Sequence, residues 1–286
     1  MQRRPEMNVN SPEKTGVVMR VSVAFFLIAN FIWLGLPVGM AVIWSMVDPA
    51  HPWSFPDIFP DRLSFTRWVN MWQTTSLPDA MFNSYSIALT VAPLSLLLAL
   101  PTAYAFGRIP FRGKGIAEIL TLIPLVMPGM LIGIFFSAMI LQLNIENPFI
   151  SIVTGHTVLA LPYAIRILSA GFRAVPQEMI DASRDLGSDR WATFRNAYLP
   201  FLKSAILATL ILCFVRSLEE FSVSYVLGSP DFITIPTILY SFLGYTFVRP
   251  DAAVVSMILI IPNIFLMIII ERALKDNYAA DSTGKY

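Results

Sequence analysis

The stretch EMIDASRDLGSDRWATFRNAYLP, which runs from Glu178 to Pro200, lies between two long apolar stretches. It has six charged side chains in its first thirteen residues, a glycine near its middle and a proline at its end. A chain that turns between two membrane spans needs only a few polar residues for the turn. This segment is much longer than that, and its composition is typical of a soluble protein.

The rest of the chain has the composition of a membrane protein. Hydrophobic residues make up 56% of the 286 residues and charged residues only 14%, whereas soluble domains are about 25% charged. The formal net charge of +1 gives no basis for nucleic-acid binding. The single cysteine, Cys213, excludes an internal disulfide and a cysteine-cluster metal site.

Six apolar runs are long enough to cross a bilayer, whose hydrocarbon core of about 30 Å needs about 20 helical residues. They predict an all-α membrane protein with a polar N-terminal segment (1–20) and a polar C-terminal tail (275–286). The predicted spans lie at about residues 21–47, 82–107, 116–143, 148–170, 205–228 and 252–274.

The distribution of Lys and Arg predicts the orientation of these spans. With the N-terminus inside the cell, fifteen of these residues lie on the cytoplasmic side, and only Arg62, Arg67 and Arg249 lie outside. The chain is therefore predicted to cross the membrane several times with both termini in the cytoplasm. The segment at 173–203 then also lies in the cytoplasm.

Two short amphipathic helices are predicted in this cytoplasmic segment. Pro176 suits the start of the first helix, on which Met179, Ala182 and Leu186 share a face. Gly187 suits a left-handed cap at the end of that helix.

Ser188 is predicted to cap the second helix, on which Trp191, Phe194 and Tyr198 form a stripe. Such apolar faces indicate either a docking surface for a partner or a segment that lies on the membrane surface. The residues alone leave these two alternatives open.

The spacing of the segment resembles a loop found in permease subunits of ABC importers. That loop reads Glu-Ala-Ala, three residues, Gly, nine residues, Ile, any residue, Leu-Pro. The positions that match it in this sequence are Asp181, Ala182, Ser183, Gly187, Ala197, Leu199 and Pro200. Three of them depart from the pattern, with Asp for Glu, Ser for the second Ala, and Ala for Ile.

The resemblance extends over most of the chain after about residue 80. The stretch SLEEFSVSYVLGSPDFITIPTILYSFL, from Ser217 to Leu243, and the stretch FGRIPFRGKG, from Phe106 to Gly115, are most similar to the second permease of spermidine/putrescine importers. Phosphonate, ferric-iron and opine permeases have similar tails. The chain is thus identified as a permease subunit of a type I, binding-protein-dependent importer of the bacterial inner membrane.

The resemblance implies a set of partners and a coupling site. The partners are a second and distinct permease, two ATPase subunits, an extracytoplasmic solute-binding protein and membrane lipid. The coupling helix, which sits in a groove of the ATPase, corresponds here to Met179, Asp181, Ala182, Ser183, Leu186, Gly187, Leu199 and Pro200.

The chain itself is not expected to be an enzyme or to bind a cofactor. It lacks the sequence G-x-x-x-x-G-K-[ST] that cradles nucleotide phosphates. ATP and Mg²⁺ are expected to be used by the partner ATPase.

A polar stripe is predicted inside the fifth span. Arg216 precedes Glu219 by three residues and Glu220 by four, so it is expected to pair with either glutamate along one helix. Ser217, Glu220 and Ser224 recur at helical spacing. Ionisable residues in a span suggest a solute pathway, but a self-neutralised cluster that only orients helices is equally compatible with the pattern.

The sequence does not identify the transported solute. One Arg against two Glu favours a cationic or neutral solute, such as a polyamine, over an anion. The alternatives are import of a phosphonate, ferric iron, an opine or a sugar by the same machinery, and an autonomous secondary transporter or channel.

His156, in the fourth span, is predicted to make a hydrogen bond between helices.

The predicted orientation can be tested with single cysteines in a Cys213→Ala background. Ser188→Cys is expected to react with a membrane-impermeant maleimide only after the inner face has been opened. Ser54→Cys is expected to react in intact cells, because Ser54 lies in the predicted outer loop. The reverse labelling pattern would overturn the charge argument.

Overall fold

The computed structural model describes residues 12–54, 56–245 and 248–283. Within them the chain forms helices joined by loops, and its β-pairing is limited to one isolated antiparallel bridge between Val47 and Leu63. This confirms the all-α class. The part of the predicted polar N-terminal segment before residue 12, and the last three residues of the tail, lie outside the described residues.

The helices follow one another along the chain with short connections, except for the long loop at 46–65 between the first two. They are α1 (Pro12–Ser45), α2 (Thr66–Thr74), α3 (Leu77–Arg108), α4 (Lys114–Leu120), α5 (Ile123–Val126), α6 (Gly129–Gln142), α7 (Pro148–Ala174), α8 (Gln177–Asp185), α9 (Arg190–Thr193), α10 (Leu199–Leu218), α11 (Ser222–Gly228), α12 (Ile235–Tyr240) and α13 (Arg249–Thr283). Two π turns, Phe194–Tyr198 and Ser241–Tyr245, join α9 to α10 and extend α12.

Five of the described helical segments are long and apolar enough to cross a membrane, and a bent pair brings the number to six. The region of the predicted third span, 116–143, is bent by 96° between Val126 and Gly129. Pro128 explains the bend: a residue before proline avoids the helical region, and Met127 is extended (φ −77°, ψ 138°).

The helices around the predicted fifth span at 205–228 have other bounds at both ends. A continuous helical segment runs from Arg190 to Leu218, so the end of the predicted loop at 173–203 already belongs to this helix. The π turn comes just before Pro200, which lacks the N–H that would bond back along the helix. At the other end the helix stops at Leu218, and α11 begins at Ser222.

The helices at the two ends of the chain extend further than the predicted spans. The helix α1 begins at Pro12, within the predicted polar segment, and α13 continues through the predicted tail as far as Thr283. Adding a residue to an existing helix gains one hydrogen bond, so helices extend beyond the apolar run that locates them.

The core lies where α3, α7 and α10 pack together. Small side chains line these contacts, including Ala99, Ala103, Ala160 and Ala164, and such residues let membrane helices approach closely. The thiol of Cys213 is buried among them, facing the carbonyl oxygen of Ala160 at 3.9 Å. In contrast, α1 is exposed from Met19 to Met40 and contacts α13.

Candidate functional site

The turn at Gly187 has the backbone geometry that the sequence predicts. Gly187 has φ +80°, and its N–H donates to the carbonyl of Arg184 at 2.8 Å. The N–H of Ser188 donates to the carbonyl of Ser183 at 3.2 Å. These two bonds form the Schellman arrangement that ends a helix on a left-handed residue.

The cap of the next helix was assigned to the wrong residue. Asp189, not Ser188, is the N-cap, and its carboxylate accepts from the N–H of Ala192 at 2.6 Å. Asp189 has the extended backbone typical of an N-cap (φ −71°, ψ 178°), whereas Ser188 still belongs to the turn that ends the preceding helix.

The segment presents apolar side chains on its outer surface. Met179 is 43% exposed, Leu186 87% and Trp191 70%. The rings of Trp191 and Phe194 stack with centroids 5.9 Å apart, and those of Phe194 and Tyr198 with centroids 6.3 Å apart. The predicted aromatic stripe therefore exists, with its outer end exposed.

The rest of the predicted coupling set lies around this surface. Its exposed members are Met179, Asp181, Ala182, Leu186, Gly187 and Pro200, and its half-buried members are Ser183 and Leu199. Sequence reasoning missed Ile180, which is buried and attaches α8 to the core. The apolar pattern of α8 could have shown it, because apolar residues lie on two sides of that helix.

A second group of polar side chains meets inside the helix bundle. The Nδ1 atom of His156 lies 2.9 Å from the hydroxyl oxygen of Ser217, and its Nε2 atom lies 2.9 Å from that of Ser224. His156 stands about 12 Å along α7 from Pro148, at 1.5 Å per residue. Its predicted hydrogen bond between helices is confirmed.

Glu220 lies at the break between α10 and α11 and joins His156, Ser217 and Ser224. These four residues are called the polar centre below. Its carboxylate accepts from the N–H groups of Ser222 at 3.1 Å, Val223 at 2.8 Å and Ser224 at 3.3 Å. It also lies 3.5 Å from Nε2 of His156. The carboxylate therefore caps the start of α11, and the space that these side chains enclose has no room for a water molecule.

The predicted pairing of Arg216 with a glutamate was wrong. In the described part of the chain, Arg216 forms no ion pair with Glu219 or Glu220, and its guanidinium instead lies 5.6 Å from the ring centroid of Tyr163. The helical spacing that would bring these side chains together is lost because α10 ends at Leu218.

The two remaining charges point away from the polar centre. Glu219 accepts from the side-chain amide of Asn263 in α13 at 2.7 Å, and both Glu219 and Arg216 are exposed. The carboxylate of Glu220 is engaged with the N–H groups at the start of α11. The exposed charges here are therefore one positive, Arg216, and one negative, Glu219. The predicted surplus of negative charge is therefore not presented on this surface. Asn263 was missed because only the structure brings α13 beside α10.

The fold and these sites define an ABC importer permease subunit of type I. Residues 92–276 match the family described as the binding-protein-dependent transport system inner membrane component. The chain belongs to this family, which confirms the resemblance seen in its loop.

Particular relatives include the spermidine/putrescine transport system permease protein PotC of Escherichia coli K12. It is 24% identical over 212 residues, which cover 74% of this chain and 80% of that protein. The molybdate/tungstate transport system permease protein WtpB of Pyrococcus abyssi is 28% identical over 142 residues, which cover 50% of this chain and 57% of that one.

A solved structure shows the same fold. The crystal structure of a bacterial ABC transporter involved in the import of the acidic polysaccharide alginate has a chain that superposes with a TM-score of 0.69. The two sequences are 15% identical, and the match covers 94% of this chain and 99% of that chain.

Replacing Glu220 is expected to destabilise the bundle. In Glu220→Gln, one acceptor oxygen and the charge of the cap are lost, which costs about 1–3 kcal/mol for hydrogen bonds to a charged group. The melting temperature in detergent micelles is expected to fall. Glu219→Gln is the matched control and should melt close to the parent, because Glu219 is exposed; equal melting of the two variants would contradict the capping role.

Proposed function

We propose that the chain forms one half of the membrane pathway of an ATP-driven importer and that its Glu178–Pro200 segment docks on a cytoplasmic ATPase. The observation that carries the proposal is the exposed surface of Met179, Leu186 and Trp191 beside the left-handed corner at Gly187. Large apolar side chains of this kind are expected to be covered by a partner. The match of the segment to the loop of importer permeases favours an ATPase over the membrane surface as that partner.

The same assignment defines the other components. The family description, binding-protein-dependent transport, supports an extracytoplasmic protein that delivers solute. A second and distinct permease would supply the other half of the pathway, with both termini of this chain in the cytoplasm. ATP and Mg²⁺ would be used by two ATPase subunits, and this chain would be a non-catalytic subunit without a cofactor.

Gly187→Val is expected to uncouple transport. A β-branched residue at φ +80° strains the backbone by about 1–2 kcal/mol, so the corner should reorient. The ATPase should then co-purify weakly or hydrolyse ATP without driving uptake. Both quantities are measured on the complete transporter reconstituted into vesicles.

Gly113→Val is a matched control for this prediction. Gly113 also has a left-handed backbone, with φ +83°, and open space around it, but it lies between α3 and α4. Gly113→Val should therefore carry the same local strain and still couple. Normal ATPase binding and normal uptake in Gly187→Val would disprove the docking assignment.

The proposed solute is a small organic cation of the polyamine type. Its support is the similarity to PotC along 80% of that protein, together with the exposed carboxylate of Glu219, which directly follows the last residue of α10. A carboxylate in a solute path can offset the charge of an ammonium group. Glu219 and Arg216 are the proposed path residues, with Ser217, Glu220 and Ser224 behind them as the support of the helix break.

An oxyanion is the second candidate. Arg216 is exposed at the same level, and its guanidinium faces the ring of Tyr163 rather than a carboxylate. A planar guanidinium is well suited to bind oxyanions, and the relative WtpB is a molybdate/tungstate permease.

Uptake of spermidine and of molybdate by reconstituted vesicles separates these two candidates. For a cationic solute, Glu219→Gln is expected to lower spermidine uptake about tenfold, which corresponds to the loss of one charged hydrogen bond. Arg216→Gln should have a smaller effect. For an oxyanion the order is reversed with molybdate. Glu146→Gln, an exposed glutamate between α6 and α7, is the control and should transport normally.

A further inference from the structure

Arg108 is the last residue of α3. It contacts the stretch of chain that joins the end of α7 to the Glu178–Pro200 segment, called the coupling segment below. Its Nη1 atom donates to the carbonyl oxygen of Val175 at 3.0 Å and to that of Phe172 at 3.4 Å. Its Nη2 atom donates to the side-chain oxygen of Gln177, the first residue of α8, at 2.7 Å. One guanidinium therefore binds the end of α7 and the start of α8.

The same guanidinium also contacts the other end of the segment. Its carbon atom lies 5.8 Å from the ring centroid of Tyr198, which is buried in the π turn at the start of α10. A cation over an aromatic ring is attracted by the electrons of the ring face. Its charge also suits the last carbonyls of α7, where the helix dipole is negative.

The packing beneath Arg108 joins the same three helices. Tyr104 of α3 meets the rings of Phe172 and Tyr198 edge-on, with centroids 5.5 and 6.0 Å away, and those two rings are 5.9 Å apart. Gly107 lets α3 approach α7, since a Cβ atom there would lie 2.5 Å from the Cβ atom of Phe172.

These contacts have a mechanical consequence. The chain itself connects the coupling segment to α7 and α10, but no covalent connection joins the segment to α3. Arg108 supplies a non-covalent connection to α3 at both ends of the segment. We infer that Arg108 is a positioning residue that holds the coupling segment in a single orientation against α3, α7 and α10, so that a displacement at the ATPase reaches all three helices together.

The inference rests on the proposed docking of the segment and adds the residue that transmits the displacement. Arginine suits this position because its planar fork offers several donors in fixed directions. Here the fork serves three acceptors and a ring face. Lysine carries the same charge, but its ammonium group cannot reproduce this arrangement.

The orientation can be measured without any solute. Spin labels on Leu97→Cys in α3 and Ser188→Cys at the corner, in a Cys213→Ala background, report the distance between α3 and the segment in the complete transporter. The test variant is Arg108→Met, which keeps much of the side-chain stem but removes the guanidinium. The control is Arg173→Met, because Arg173 also lies at the end of α7 and instead pairs with Glu118 at 3.7 Å.

Arg108→Met is expected to broaden the distance distribution, whereas Arg173→Met should leave it narrow. The ATPase should still co-purify, since the exposed docking surface is unchanged. Uptake of spermidine or molybdate, whichever the parent transports, should fall two- to thirtyfold, the range for loss of coupling between sites. Arg108→Lys should lie between the parent and Arg108→Met in both measurements.

Three results would overturn the inference: an unchanged distance distribution in Arg108→Met, unchanged uptake in that variant, or equal broadening in Arg173→Met. If Arg108→Met does not fold, Gly107→Ala disturbs the same contact between α3 and α7 with Arg108 present and should broaden the distance distribution in the same way. A narrow distribution in Gly107→Ala would also overturn the inference.

If Gly187→Val leaves coupling intact, the proposed docking fails independently. If Gly187→Val uncouples transport and Arg108→Met does not, only the role of Arg108 fails.

Discussion

The carboxylate of Glu220 makes the break between α10 and α11 possible inside a membrane. A backbone N–H without a partner costs several kcal/mol in hydrocarbon, because no water is present to bind it. Glu220 accepts from three successive N–H groups at the start of α11. With this cap in place the chain can end one helix at Leu218 and start another at Ser222.

Neighbouring elements depend on the position of that cap. His156 holds Ser217 before the break and Ser224 after it, so α7 fixes both sides of the interruption. Gly129, at the start of α6, has its Cβ direction blocked by Ser222 and by the carboxylate of Glu220. The bend in the third span and the break in the fifth therefore meet at one polar centre.

The helix α10 connects the two proposed functional regions. The coupling segment ends in its first turn, Arg216 lies in its last turn, and Glu219 directly follows it. At 1.5 Å per residue, Leu199 and Leu218 are about 29 Å apart along the axis. The polar centre stabilises one end of this helix and Arg108 the other, so a displacement of the segment would be carried along a helix that is held at both ends.

Composition, hydropathy and motif spacing were enough to predict the membrane class, the all-α fold, the left-handed corner at Gly187 and the family. These properties depend on local composition, on hydropathy over about 20 residues and on a backbone conformation that glycine favours. Tertiary structure decided the partners of the charged and polar side chains. Glu220 lies 3.5 Å from His156 and accepts from its own following backbone rather than pairing with Arg216, and Arg108 reaches Tyr198, which is 90 residues away in sequence. Helical spacing could not predict either contact, because the first depends on where the helix ends and the second on which helices pack together.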